Sequence, residues 1–249
     1  MAIKFLSGRR IQGLSTNLIA YLKLNDNVLD ETGYNNGTVT GTTAYTTGKL
    51  GGSTKAFSFN GSSVITLENK SNFDFELTDA FSACCWAKHT GSASDTIFGK
   101  DDGLLAFSQG WGVYYASANV ARAYIGDTAG SNIISSIANP NDGNWHHVCV
   151  TYDGSSNMSG LKLYLDNVVV TGSSHALSGT MRNNVEFSIG ALANSNLNNA
   201  YTGAIDMVSV WSKELTSSEI SDMYNAGTDT INEDTKPYNA QVGSRFEET

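Results

Sequence analysis

Two acids two residues apart, in Asp74-Phe75-Glu76, are the nearest this chain comes to a paired-carboxylate site. In extended backbone that spacing puts both carboxylates on one face, where one can serve as nucleophile and the other as general acid. Here they precede a Leu-Thr turn and read as a solvated loop. His146 and His147 are adjacent in an alternating run, so their rings point to opposite faces and do not share one ion. No Cys or His stands near them at zinc spacing. There is no G-x-S-x-G elbow and no phosphate-binding loop. No catalytic residue is therefore assigned. The aromatic residues offer more. Trp111 lies in SQGWGVYYAS between Gly110 and Gly112 and shares a strand face with Tyr115, with Tyr114 on the opposite face. An exposed Trp with its polar edge free can stack on a sugar ring. Trp111 and Tyr115 are thus the candidate carbohydrate-binding residues, with Asn and Ser of nearby loops to read hydroxyls.

Short strands must position these residues. The segment Asp142–Asp166, DGNWHHVCVTYDGSSNMSGLKLYLD, reads as a hairpin: an alternating run, a Gly/Ser-rich loop and a second run ending at Asp166-Asn167. Similar runs cover Leu18–Leu24, Ala56–Asn60, Val64–Leu67, Phe81–His89, Thr96–Lys100, Leu104–Ser108, Gly112–Ala116 and Ala121–Gly126. They continue at Ile133–Ile137, Trp145–Tyr152, Lys162–Leu165, Val168–Thr171, Glu186–Ile189 and Ala204–Trp211, with turn signals between them. This is the pattern of an all-β, two-sheet antiparallel sandwich. One short C-terminal helix is expected. Thr216 is its N-cap, Glu219 completes a capping box and Gly227 follows its end. Ile220, Met223 and Tyr224 form its apolar stripe.

The chain has 249 residues, enough for one large sandwich, and only 16% of them are charged. Its net charge of −9 argues against a nucleic-acid partner and would suit a hard cation. No run approaches the roughly 20 apolar residues of a membrane span, so no membrane insertion is expected. Cys84 and Cys85 point to opposite faces of a strand, and Cys149 lies mid-strand among apolar residues. They read as buried thiols; a disulfide from one of the pair to Cys149 requires their strands to be neighbours. Residues 1–16 read as an arm with Lys4, Arg9 and Arg10, residues 17–227 as the domain and residues 228–249 as a polar tail.

The hairpin resembles that of laminin-G-like domains in the concanavalin A-like lectin/glucanase superfamily, with Trp-His-His-Val, Tyr-Asp-Gly and Leu-Tyr-x-Asp. The likeness extends to AYLKLNDNVLDETGYNNG, KLGGSTKAFSFNGSSVITL, AFSACCWAK, Ile205-Asp206 and TSSEI, over about residues 17–227. It implies a concanavalin A-like jelly roll, with Trp86, Trp145 and Trp211 at core positions. The catalytic Glu-x-Asp-x-Glu run of the glucanases is missing, so the resemblance implies adhesion or carbohydrate binding rather than hydrolysis. It also implies a structural Ca²⁺, with Asp30 and Asp206 at the matching positions and Asn35 completing the oxygen shell. No signal-peptide core is visible at the N-terminus. The segments KFLSGRRIQG and QVGSRFEET are similar to terminal segments of laminin-G-like structural proteins of tailed phages. The expected setting is therefore a virion, or else a cell surface, with a glycan or host-surface ligand and neighbouring structural subunits as partners. A purely architectural protein without a glycan ligand is the alternative.

Overall fold

Period-two alternation is realised throughout this chain as antiparallel pairing. The computed structural model describes residues 14–228, apart from 53–54, 69, 92–93, 103–108, 118, 131, 139–140, 175 and 193–198. The strand expected at Leu104–Ser108, most of the arm and nearly all of the tail lie outside the described residues. In chain order the strands are β1 Leu18–Leu22, β2 Gly37–Thr40, β3 Tyr45–Thr46, β4 Ala56–Asn60, β5 Val64–Leu67 and β6 Phe81–His89. Then come β7 Asp95–Asp101, β8 Gly110–Ser117, β9 Val120–Gly126, β10 Asn132–Ala138 and β11 His146–Tyr152. The last are β12 Leu161–Leu165, β13 Val168–Thr171, β14 Ser173–Ser174, β15 Phe187–Ile189 and β16 Thr202–Trp211, before helix α1 Ser217–Thr228.

Sheet A runs β13-β12-β11-β6-β16-β4-β3, with β1 also paired to β16; sheet B runs β14-β10-β9-β8-β7-β15-β5-β2. Every pairing is antiparallel. The architecture is the expected two-sheet sandwich with one helix near the C-terminus. The hairpin from β12 to β13 turns on Asp166 and Asn167, both at positive φ, which a two-residue turn of this hand requires and Asn tolerates. In the middle of β16, Met207 has φ 54° and the register against β6 shifts between Asp206 and Ser209. This bulge lets β16 pair with β4 through Thr202–Ile205 and with β1 through Val208–Trp211.

The main core lies between the sheets. Ala83, Cys85, Ala87, Val148 and Val150 face it from sheet A, and Trp111, Val113, Tyr115, Ala121, Ala123 and Ile125 from sheet B. Trp111 is its aromatic hub, with ring centroids 4.7 Å from Phe81, 5.5 Å from Phe187 and 5.7 Å from Phe75. A second cluster covers the opposite face of sheet A. There Leu14, Leu215, Ile220 and Met223 pack on Tyr21, Cys84, Cys149, Tyr164 and Trp211. Trp211 Nε1 donates to the carbonyl of Leu14 at 2.7 Å. The capping box forms as expected: Glu219 N donates to Thr216 Oγ1, and Thr216 N to Glu219 Oε2. Cys84 and Cys149 face each other across β6 and β11 and are joined as a disulfide, while Cys85 is free and buried. Among the described residues no helix is long and apolar enough to cross a membrane.

The expectations for Trp145 and Trp111 change, while Trp86 and Trp211 are buried as expected. Trp145 precedes β11 and is half-buried, not enclosed between the sheets. Its phase matches His147 and Cys149, which face away from the sandwich interior. Trp86 and Trp211 are buried, but on that same outward face of sheet A, with Trp86 stacked on Tyr224 of the helix. Trp111, expected to be a surface platform, is instead the tryptophan between the sheets. Trp111→Ala should therefore destabilise the fold by about 3–5 kcal/mol, as large-to-small core changes do. Chemical denaturation checks this, with Tyr34→Ala, at 78% exposure, expected to stay within about 0.5 kcal/mol of the parent.

Candidate functional site

Neither ring of the expected sugar-binding pair can be reached from solvent. Trp111 is 2% exposed and Tyr115 is 0% exposed. Tyr115 stacks on His89 at 4.2 Å, and burial pushes its hydroxyl pKa far up. The assignment of Trp111 and Tyr115 to carbohydrate is corrected here, and the reason is phase. Val113 shares their face, and β9 pairs with β8 so that Ala121, Ala123 and Ile125 close the same layer from the side.

The acidic candidates serve the loops. Asp30 Oδ1 accepts from Tyr21 N at 2.8 Å and Thr32 N at 3.0 Å. Its Oδ2 accepts from Asn35 N at 3.0 Å and from the Thr32 hydroxyl. Asn35 Nδ2 donates to Ile19 O, and its Oδ1 accepts from Asn72 Nδ2. Asp206 belongs to a different group of contacts, where its Oδ2 accepts from Lys49 N at 2.9 Å. The carboxylate of Asp30 is thus ringed by N–H and O–H donors, the wrong chemistry for a cation, and shares no hydrogen-bond partner with Asp206. These three residues do not fit a common calcium site. Among the described residues, no three His, Cys, Asp or Glu side chains come together as a metal site.

Asp74 and Glu76 are likewise engaged. Asp74 Oδ1 lies 2.7 Å from Lys100 Nζ, which also donates to Asn183 O and Oδ1 and to Val185 O. Glu76 Oε1 accepts from the Thr180 hydroxyl at 2.5 Å. His146 is held between Asp166, 2.6 Å from Nδ1, and Asp142, 3.1 Å from Nε2. The Asp166 hydrogen bond raises its pKa above the ordinary value. His147 faces the helix side, where burial lowers its pKa to about 4. A cavity of ≈ 10 Å³ lies there among Trp86, His147 and Met223, room for about one water and too small for a sugar.

The outward face of sheet B has different chemistry. Its register places Gly99 opposite Gly112, Gly112 opposite Tyr124, Thr96 opposite Tyr114, and Tyr114 opposite Arg122. Ser188 stands beside Gly99, and Ser136 beside Arg122. Gly99 and Gly112 are both buried on this face. A Cβ at Gly112 would sit 3.0 Å from the Tyr124 ring, and one at Gly99 would sit 2.8 Å from Trp111 O. Tyr124 and Tyr114 pack on each other there, their rings 5.6 Å apart edge to face, and both are buried. The Tyr124 hydroxyl donates to Asp101 Oδ2 at 2.5 Å, and burial beside that carboxylate raises its pKa strongly. Thr96 Oγ1 is buried on this face without a protein partner. The sequence reading missed this face because β8 carries aromatics in both phases. The signal that could have shown it is β9, VARAYIG, where small and apolar residues alternate with Arg122 and Tyr124.

This two-sheet architecture is that of a known superfamily. A family model described as concanavalin A-like lectin/glucanases superfamily (Laminin_G_3) matches residues 59–221, and the chain belongs to that family. No curated protein matches it. Among solved structures, domain 4 of AbnA, a GH43 extracellular arabinanase from Geobacillus stearothermophilus in complex with arabinotriose, is similar with a TM-score of 0.59 and 20% identity. That match covers 84% of this chain and 98% of the arabinanase domain. The binding domain of Paraclostridial Mosquitocidal Protein 1 is similar with a TM-score of 0.65 and 18% identity, over 86% of this chain and 53% of that one. A botulinum neurotoxin type C structure, whose cell entry depends on interaction with two ganglioside molecules, gives 0.61 and 14%, over 88% and 54%. The chain spans about half the length of these toxin domains. At such identities the likeness establishes the fold alone.

Burial raises the pKa of Asp206 from 3.8 to about 7, against the pull of hydrogen bonds from Lys49 N and Met207 N. Its folded pKa thus lies above the unfolded one, so the stability it contributes when protonated is lost as pH rises from about 4 to about 7. Asp206→Asn should therefore melt higher than the parent at pH 8, and the gap should close as pH falls toward 4. Equal melting temperatures at pH 8 would contradict this. Chelation with EDTA is expected to leave the parent's melting temperature unchanged, because Asp30, Asn35 and Asp206 form no common ion site for it to empty. A fall of several degrees would restore calcium.

Proposed function

We propose that this chain is a non-enzymatic carbohydrate-binding module. The observation that carries the proposal is the two-sheet sandwich of the concanavalin A-like family. The relatives support it: one similar structure holds arabinotriose and another protein engages gangliosides. A hydrolytic role is disfavoured because Asp74 and Glu76 are committed to Lys100 and Thr180. We keep a virion as the proposed setting, on the strength of the terminal segments alone.

A glycan array followed by calorimetry on the best ligand tests the proposal. At least one glycan should bind saturably and be displaced by the free sugar. A parent that binds nothing on the array would favour the architectural alternative.

A further inference from the structure

We infer that His146 is the pin of a pH-dependent clasp. While its ring is charged it joins the turn before β11 to the turn between β12 and β13, and it releases them when the ring loses a proton.

Both ring nitrogens meet a carboxylate. Nδ1 lies 2.6 Å from Asp166 Oδ2, and Nε2 lies 3.1 Å from Asp142 Oδ1. A neutral imidazole carries one N–H and can donate to one of the two acids only. Its bare nitrogen would then turn a lone pair toward the other carboxylate. The imidazolium donates to both, and charge-assisted bonds of this kind are the stronger ones. The His146 side chain is 10% exposed, against 41% for Asp142 and 31% for Asp166. The cation is thus shielded between two acids that remain in contact with water. The Asp166 bond outweighs burial and raises the His146 pKa, with the Asp142 bond acting in the same direction.

The clasp grips three parts of the chain. Asp142 closes its own turn by accepting from Asn144 N at 2.8 Å. Asp166 Oδ1 accepts from His147 N at 2.8 Å, and Asp166 N donates to His147 O at 2.9 Å. The next residue, Asn167, donates through Nδ2 to Ser221 Oγ at 3.3 Å, which brings α1 into the same set of contacts.

The neighbouring groups leave this proton to His146. Opposite it on β6 stands Ala87, which carries no charge. His147 points to the other face, where burial holds its pKa down at about 4. Lys49, in the loop between β3 and β4, and Tyr115 on β8 also feel the Asp166 charge; burial moves the lysine pKa down and the tyrosine pKa up. Asp206 lies opposite Trp86 on the outward face and titrates at about 7. The folded pKa of His146 lies above the unfolded one. The clasp is therefore fully closed below the unfolded value of about 6.5, and its contribution is lost as pH rises through the folded value.

The test is made in an Asp206→Asn background, which removes the other group that titrates near neutrality. His146 is followed by NMR from about pH 5 to about pH 9.5, beside an unfolded peptide spanning Asn141–Tyr152. It should titrate at higher pH in the protein than in the peptide. Over the same range the background should melt higher than its His146→Gln derivative at about pH 5.5, and the gap should narrow steadily toward about pH 9. Asp142→Asn removes one of the two acids at a partly exposed side chain. It should move the His146 titration toward the peptide's without unfolding the protein. A His146 that titrates at or below the peptide's value overturns the inference, and so does a melting gap that stays constant with pH. If His146→Gln does not fold, Asp142→Asn decides, and an unchanged His146 titration in it overturns the inference.

Discussion

Sheet A depends on one strand finding two partners along one edge. β16 is ten residues long and follows β6 on its other side from end to end. On the near side it meets β4 first and β1 afterwards. Strict alternation could not serve both halves, because Ile205 and Val208 must both face the core although they are three residues apart. The bulge at Met207 resets the phase. It turns Ile205, Val208 and Val210 inward, and leaves Trp211 outward under the helix. The cost falls on Asp206, held at the bulge with Oδ2 bonded to Lys49 N and Oδ1 without a partner.

Much of this was legible in local pattern. The β11–β12 hairpin and the capping box at Thr216 and Glu219 each depend on near neighbours in the chain, and each formed as read. The errors share one cause, which is distance. In GWGVYYAS both phases hold aromatics, and only the pairing of β8 with β7 and β9 decides that Trp111 turns inward and Tyr114 outward. Asp206 bonds a backbone amide 157 residues away, a contact no local window contains. The Cys84–Cys149 pairing likewise follows from the register of β6 against β11, which brings together cysteines 65 residues apart. The family likeness carried the fold, while Asp30, at its calcium position, accepts here from its own loop and from Tyr21 N of β1.

The two outward faces are closed in different ways. That of sheet A is closed by the helix, by Leu14 and by the disulfide pair, with only a water-sized gap beneath. That of sheet B carries no helix from the described chain, and Tyr114 and Tyr124 are buried on it. Trp111 and Tyr114 are three residues apart on β8 but belong to different layers.

The cover of sheet A is held from two distant parts of the chain. Leu14 and α1 both lie on the outside of sheet A, with Leu14 bonded to Trp211. Lifting either one wets Trp211 and the cluster beneath it, so the two form a single latch that opens as one unit rather than in sequence.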